Sequence, residues 1–262
     1  MVVPTLGTRR DYLDQCLATV LASSYGSVRV VLVGPTGSCA EQVASDHGVE
    51  FVAQAPAGIG AAVNAGWREH GGDAEIWGWI GDDDLLDPRA IERAVAKLRA
   101  TGAVMVFGRC RYIDETGRSL WTARPGRFAA WNLGGGVQLI PQPGSLATAD
   151  AVRSVGLVDE SLKFAMDYDL FLRLKHIGRI VYVPHELASF RWHEDSLTAS
   201  QGDRSAAEAD GVRRRAQRHP RLARRLEPAT MRVSKLHWHL QRRPLPLVVD
   251  GLWSTLLAKL GR

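Results

Sequence analysis

Three adjacent aspartates, Asp82-Asp83-Asp84, follow the apolar run Ile76-Trp77-Gly78-Trp79-Ile80 and precede Leu85-Leu86-Asp87-Pro88. Adjacent carboxylates repel one another, and a bound cation relieves that repulsion. An all-oxygen donor set suits Mg²⁺ or Mn²⁺. The alternative is a solvated acidic turn that caps a helix, and the triplet alone does not choose between them. A second acidic position, Asp167, opens the apolar helical pattern Asp167–His176. It has the residue type of a general base, or of a plain N-cap. Further on, His193 follows the short run Leu187–Trp192. A lone histidine there is open between a ligand and a structural imidazole.

The elements that must position these groups follow from periodicity. The run Ile76–Ile80 reads as a buried strand, and Asp87-Pro88 reads as a helix start with Asp as N-cap and Pro at the first position. The aspartates then leave the C-terminal end of a strand, where open α/β sheets bind ligands. Strands are also expected at Val28–Val33, Glu50–Gln54 and Val104–Phe107. Helices are expected at Asp11–Ala22, Ala40–His47, Gly58–Glu69 and Pro88–Ala100. This alternation predicts an α/β fold with a mostly parallel, twisted sheet flanked by helices, Rossmann-like in order. The second half changes character. It offers a hairpin turn at Asp114–Gly117 with Tyr112 and Trp121 on its arms, a glycine run at Gly134–Gly136, and short strands at Ile180–Val183 and Leu187–Trp192.

Charge divides the chain. Residues 204–262 carry fourteen Lys/Arg against four Asp/Glu, a balance of +10, which leaves −5 for residues 1–203. An acidic body argues against a nucleic-acid-binding core, and the basic tail favours an anionic surface. Arg204–Glu227 reads as a basic helix. Beyond Pro244 and Pro246, the residues Val249, Leu252, Trp253, Leu256, Leu257 and Leu260 share one helical face. That face fits a membrane interface, its own domain or a second subunit of a homodimer. The three cysteines are scattered and odd in number, which suits a reducing, cytoplasmic compartment. Met1–Pro4 enters a strand at once, leaving no room for a signal peptide, and no run is long enough to span a membrane.

Taken in order, these segments resemble bacterial, polysaccharide-type family 2 glycosyltransferases of the GT-A fold. The similarity is carried by Val3-Pro4-Thr5 with Arg9, by Gly60-Ala61-Ala62-Val63-Asn64-Ala65-Gly66, and by Ile80–Pro88. It continues in Met166-Asp167-Tyr168-Asp169-Leu170 with Leu172-Arg173, and in Arg191-Trp192-His193 with Ser196 and Thr198. The resemblance covers roughly residues 1–200. It implies a nucleotide-sugar-binding half over 1–110, an acceptor-binding half over 111–200, and a basic helical extension over 201–262.

The resemblance further implies a metal-dependent inverting glycosyltransferase of hexosyltransferase type. Such an enzyme moves a sugar from a nucleoside diphosphate to a glycan or lipid-linked acceptor, in cell-envelope synthesis, as a peripheral protein at the inner membrane face. Pro4, Thr5, Arg9, Asn64, Asp82 and Asp83 would hold the donor. Asp83, Asp84 and His193 would hold the metal, and Asp167 would be the base. Counting back from Pro88, Asp83 matches the metal-binding Asp and Asp82 a ribose contact, whereas the literal D-x-D reading takes Asp82 and Asp84. Gln142, Pro143 and Ser145 fall where the acceptor pocket is expected. The family's usual Asp-rich turn is replaced by Val33-Gly34-Pro35-Thr36-Gly37, so base recognition falls to groups such as Thr5 and Arg9, and the donor base stays open. Competing readings are a nucleotidyltransferase, for which Leu6-Gly7-Thr8-Arg9-Arg10 is a poor phosphate loop, and a non-catalytic nucleotide-sugar-binding or membrane scaffold.

Overall fold

A computed structural model of the chain describes residues 1–192, 202–216 and 220–241. His193, Ser196, Thr198 and the apolar face after Pro246 lie outside the described residues. The first half contains β1 (Val2–Pro4), α1 (Arg10–Leu21), β2 (Val31–Gly34), α2 (Cys39–His47), β3 (Glu50–Ala53) and α3 (Ile59–His70). It continues through β4 (Ile76–Trp77), β5 (Leu85–Leu86) and α4 (Ala90–Thr101). The second half contains β6 (Met105–Ile113), β7 (Ser119–Ala123), α5 (Gly126–Asn132), β8 (Leu146–Thr148), α6 (Ala149–Ser154), α7 (Met166–Ile177) and β9 (Ile180–Arg191). Two helices follow, α8 (Gly202–Ala216) and α9 (Pro220–Gln241).

Strands β1, β2 and β3 pair in parallel in that spatial order. Their wholly apolar β2, Val31-Leu32-Val33-Gly34, is buried throughout, as a central parallel strand must be. The chain after β4 runs beside β1: Val2 N–H donates to Gly78 O at 3.0 Å and Ile80 N–H to Val2 O at 3.0 Å. Beyond it the sheet is mixed, in the order β4-β8-β6-β9-β5, with β7 as a hairpin partner of β6. Here only β6 and β9 are parallel.

Side-chain alternation splits the core between two faces. Val3, Leu32 and Ile80 face α1, α2 and α4, whereas Val2, Val31, Val33 and Trp79 face α3, α6 and α7. Trp77 and Trp79 are core residues: Trp67 stacks on Trp77 at 5.0 Å and meets Trp79 edge-on at 5.6 Å. The two short strands expected at 180–192 are one strand, β9. Its register against β6 shifts between Phe107 and Arg109, opposite the stretch holding Pro184, which has no N–H to give the ladder. The single basic helix expected at Arg204–Glu227 is two, and Pro220 stands at the first position of the second.

Candidate active site

The acidic loop is tied from both sides. At the end of β1, the Thr5 hydroxyl donates to Asp82 Oδ2 at 2.5 Å and itself accepts from Gly7 N–H at 2.9 Å. One Arg9 nitrogen lies 3.4 Å from Asp82 Oδ1 and 3.1 Å from Asp83 Oδ2. Asp84 turns inward, only 3% exposed, and its Oδ1 accepts from Arg191 N–H at 3.0 Å. Gly81 makes room for this arrangement, because a Cβ there would sit 3.0 Å from Asp84 Oδ2 and 3.1 Å from Asp83 Oδ1.

Arg191, at the end of β9, is the clamp. Its side chain donates to Asp83 O at 2.9 Å, Asp114 O at 3.3 Å, Glu115 O at 2.8 Å and Gln15 Oε1 at 3.0 Å. Its guanidinium lies 4.4 Å from the centre of the Tyr12 ring. Although 1% exposed, it is thereby supplied with acceptors.

This packing concentrates carboxyl groups on the loop, and Arg9 offsets only part of their charge. Burial raises the Asp82 carboxyl above its usual range, the Thr5 hydroxyl opposes that, and the Asp83 charge reinforces it. Burial lifts Asp84 well above its usual range, with Asp83 adding to the rise and Arg191 N–H opposing it. A buried carboxylate beside another, accepting a hydrogen bond from a backbone N–H, is what a hard divalent cation stabilises. The residues fit a metal in donor chemistry. Among the described residues no three His, Cys, Asp or Glu side chains converge on one point, so remaining positions around a metal on this loop would fall to a ligand, water or undescribed residues.

Asp167 is held differently. It is the second residue of α7, and its Oδ1 accepts from Tyr168 N–H at 2.7 Å. Burial pushes its carboxyl up to about 6; the Tyr168 N–H and the neighbouring Gln138 amide pull the other way. No charged neighbour contributes to that shift. Two positions on, Asp169 is neutralised within the helix by Arg173 at 2.7 Å, a four-residue pair. The motif thus contains one paired carboxylate and one left to burial. Tyr168 points the other way, its hydroxyl 3.4 Å from Gly136 O.

The two acidic positions are linked by the segment 138–142. Gln138 neighbours Asp167, and Gln142 Nε2 donates to Trp79 O at 2.8 Å, three residues before Asp82. Four residue steps span at most about 14 Å, so this short segment reaches from Asp167 to the chain leading into the acidic loop.

A sequence model described as Glycosyl transferase family 2 matches residues 1–150, more than half of the chain. The chain belongs to this family. An uncharacterised glycosyltransferase of Rickettsia typhi is 28% identical over 202 residues, which cover 72% of this chain and 62% of that protein. One of Rickettsia conorii is 25% identical over 71% of this chain and 32% of that protein. The chain therefore spans less than two thirds of the length of these curated relatives. Among solved structures, S. aureus TarS 1-349 in complex with UDP-GlcNAc has a TM-score of 0.65 at 12% identity, covering 87% of this chain and 70% of that one. The mannosyltransferase PcManGT from Pyrobaculum calidifontis, in complex with GDP-Man and Mn²⁺, has a TM-score of 0.59 at 13% identity, covering 100% of this chain and 79% of that one. These similarities establish the GT-A fold.

In this family 2 chain the structure brings Thr5, Arg9, Asp82 and Asp83 into one network, with Pro4 buried beside them at the end of β1. It takes Asn64 elsewhere. That side chain, 1% exposed, donates to Val158 O and Glu160 Oε1 and accepts from Val158 N–H, which commits it to bracing the 158–160 loop. Ser145 likewise bonds Pro141 O at 2.6 Å within its own turn. The sequence alone points to no role for Arg191, Gln138 or Glu208, although Arg191 opens the stretch Arg191-Trp192-His193. A buried arginine gathering distant carbonyls leaves no local sequence pattern.

Proposed function

We propose that the chain is a metal-dependent inverting glycosyltransferase, transferring a sugar from a nucleoside diphosphate to a hydroxyl of a glycan or lipid-linked acceptor. The observation that carries this reading is Asp167: a carboxyl raised to about 6 by burial, without a charged partner, in a family 2 chain. A base with a value near the working pH is both ionised and able to take a proton, typically for about 10²–10⁴-fold in rate. Its neighbour Asp169 cannot serve, because Arg173 neutralises it.

Asp83 and Asp84 would hold the metal, which when bound neutralises the leaving diphosphate as a Lewis acid. Mg²⁺ or Mn²⁺ suits their oxygen donors, and the PcManGT complex contains Mn²⁺. Asp82, fixed by Thr5 and Arg9, is left to meet the nucleoside. The bound nucleotide sugars of TarS and PcManGT, UDP-GlcNAc and GDP-Man, are the donors to test first. The Gln138 amide lies beside Asp167, where it opposes the rise of that carboxyl. Beside Asp167, that amide is available to orient an incoming hydroxyl. Asp167 then takes the hydroxyl proton as the new bond forms opposite the leaving diphosphate, which inverts the anomeric centre.

A membrane surface is the proposed site of work. Val233, Leu236 and Leu240 are exposed on one side of α9, at 51%, 58% and 58%, amid the basic extension. Such a stripe suits an anionic lipid surface. No helix among the described residues is long and apolar enough to cross a membrane.

Thermal unfolding of the full chain with UDP-GlcNAc or GDP-mannose, each with and without Mn²⁺, tests the donor half. A ligand at 100 times its Kd adds about 2.7 kcal/mol to the folded state. The expected result is a rise in Tm with one donor that requires Mn²⁺. A donor-induced rise indifferent to metal would remove the metal from the proposal.

A further inference from the structure

Among the described residues, two contacts of the C-terminal extension with the body bear on Asp167. In α8, Glu208 lies over the chain entering α7. Its Oε1 accepts from Lys163 N–H at 3.0 Å, and its Oε2 accepts from Phe164 N–H at 2.6 Å and Ala165 N–H at 2.7 Å. Ala165 is the N-cap residue of α7 and has no side chain able to cap it. Glu208 supplies from another helix the side-chain cap that Ala165 cannot. Burial alone would raise the Glu208 carboxyl, but the three N–H donors and Arg215 outweigh it and hold it below its usual range. It therefore stays charged wherever Asp167 titrates.

The second contact is in α9. Ser234, fully buried, accepts from Val137 N–H at 3.3 Å, and the Thr230 hydroxyl donates to Gly135 O. A Cβ on Gly136 would lie 2.2 Å from Ser234 Oγ. The residue after this clamp is Gln138, the amide beside Asp167. The extension thus holds the backbone on both sides of one carboxyl group: residues 163–165 through Glu208, and residues 135–137 through Thr230 and Ser234.

We propose that Glu208 is a positioning residue for Asp167, so that the basic extension is an integral part of the acceptor half. Asp167 is two residues beyond the last N–H that Glu208 binds. Its direction into the site and its shielding from water follow from how that turn is held. The catalytic consequence rests on Asp167 being the base, whereas the positioning itself is measurable without substrate.

The test uses the full chain labelled at aspartate carboxyl carbons, titrated by NMR, with Asp167 identified by the resonance lost in Asp167→Asn. In the parent, Asp167 is expected to titrate near 6. In Glu208→Ala it should fall by about one unit toward the ordinary aspartate value, as water reaches it. The amides of residues 163–165 should exchange at least roughly tenfold faster. Glu208→Gln, which keeps an acceptor oxygen and the side-chain shape, should fall between the two and guards against a Glu208→Ala chain that does not fold. An Asp167 titration unchanged in both variants would overturn the inference. Transfer measured in parallel separates the two claims. Full activity in Asp167→Asn would remove the base assignment, whereas an inactive Asp167→Asn beside an unmoved Asp167 titration in both Glu208 variants would remove only the positioning role.

Discussion

The acidic loop and the entrance of α7 both present buried carboxyl groups, but the molecule treats them in opposite ways. Around Asp82, Asp83 and Asp84 it places charged groups: Arg9 bridges two of them, and Arg191 ties the loop backbone to the hairpin turn. Around Asp167 it places an amide, a backbone N–H and apolar neighbours, and it sends Arg173 to Asp169 instead. The first arrangement concentrates negative charge in a fixed frame, which suits a metal and a diphosphate. The second isolates one carboxyl so that it exchanges protons near neutrality. In the proposed function the same residue type takes two jobs because its surroundings differ.

Breaking the charged side of the comparison should have the largest effect on stability. Arg191→Met removes four side-chain hydrogen bonds and takes this donor from the part-buried carbonyls of Asp83, Asp114 and Glu115. A loss of about 3–5 kcal/mol is expected in urea unfolding. The isolated side should respond with the opposite sign. The Asp167 value of about 6 in the fold exceeds its ordinary 3.8. Its contribution to stability is therefore complete below pH 3.8 and is lost as pH rises through 6. Asp167→Asn escapes that loss and should be more stable than the parent by up to about 3 kcal/mol at pH 8, with the gain vanishing below pH 4. Unfolding curves at the two pH values check this.

Smaller effects sharpen the contrast. If the ionised carboxylate of Asp167 is the base, kcat/KM should be flat above about pH 7 and fall about tenfold per unit below 6. A profile that stays flat through pH 6 would remove Asp167 as the titrating base. Thr5→Val removes one hydrogen bond to Asp82 and should weaken donor binding by about 1 kcal/mol while leaving kcat nearly unchanged. Calorimetric titration with the donor identified by thermal shift reads that difference.

The division of labour was partly legible in the chain itself. Short apolar runs and their spacing give β1, β2, α1, α4 and α7 to within a few residues, because each buries one stripe or one whole strand. The aspartate triplet and Asp167 stand out because carboxylates after a strand and at a helix entrance are chemically conspicuous. Asn64 is a polar residue on an otherwise apolar helix, a pattern shared by ligand contacts and buried staples, and its side chain braces residues 158–160. The Gly134–Gly136 run shows no neighbour in the sequence, yet α9 packs so closely on Gly136 that a side chain there would collide with Ser234. Glu208 lies in a stretch whose arginines read as a solvated face. Even there Arg213 is 3% exposed and paired with Asp210 at 2.7 Å. Contacts between segments some forty residues apart, such as Glu208 with residues 163–165, have no local periodicity to betray them.

The central claim is that donor binding and proton removal reside in separate carboxyl sites. The most direct measurement is transfer by Asp167→Asn at saturating donor and Mn²⁺, with donor affinity determined on the same protein. The account predicts parent affinity with a rate lower by at least about 10²-fold. Parent affinity with the parent rate would contradict it.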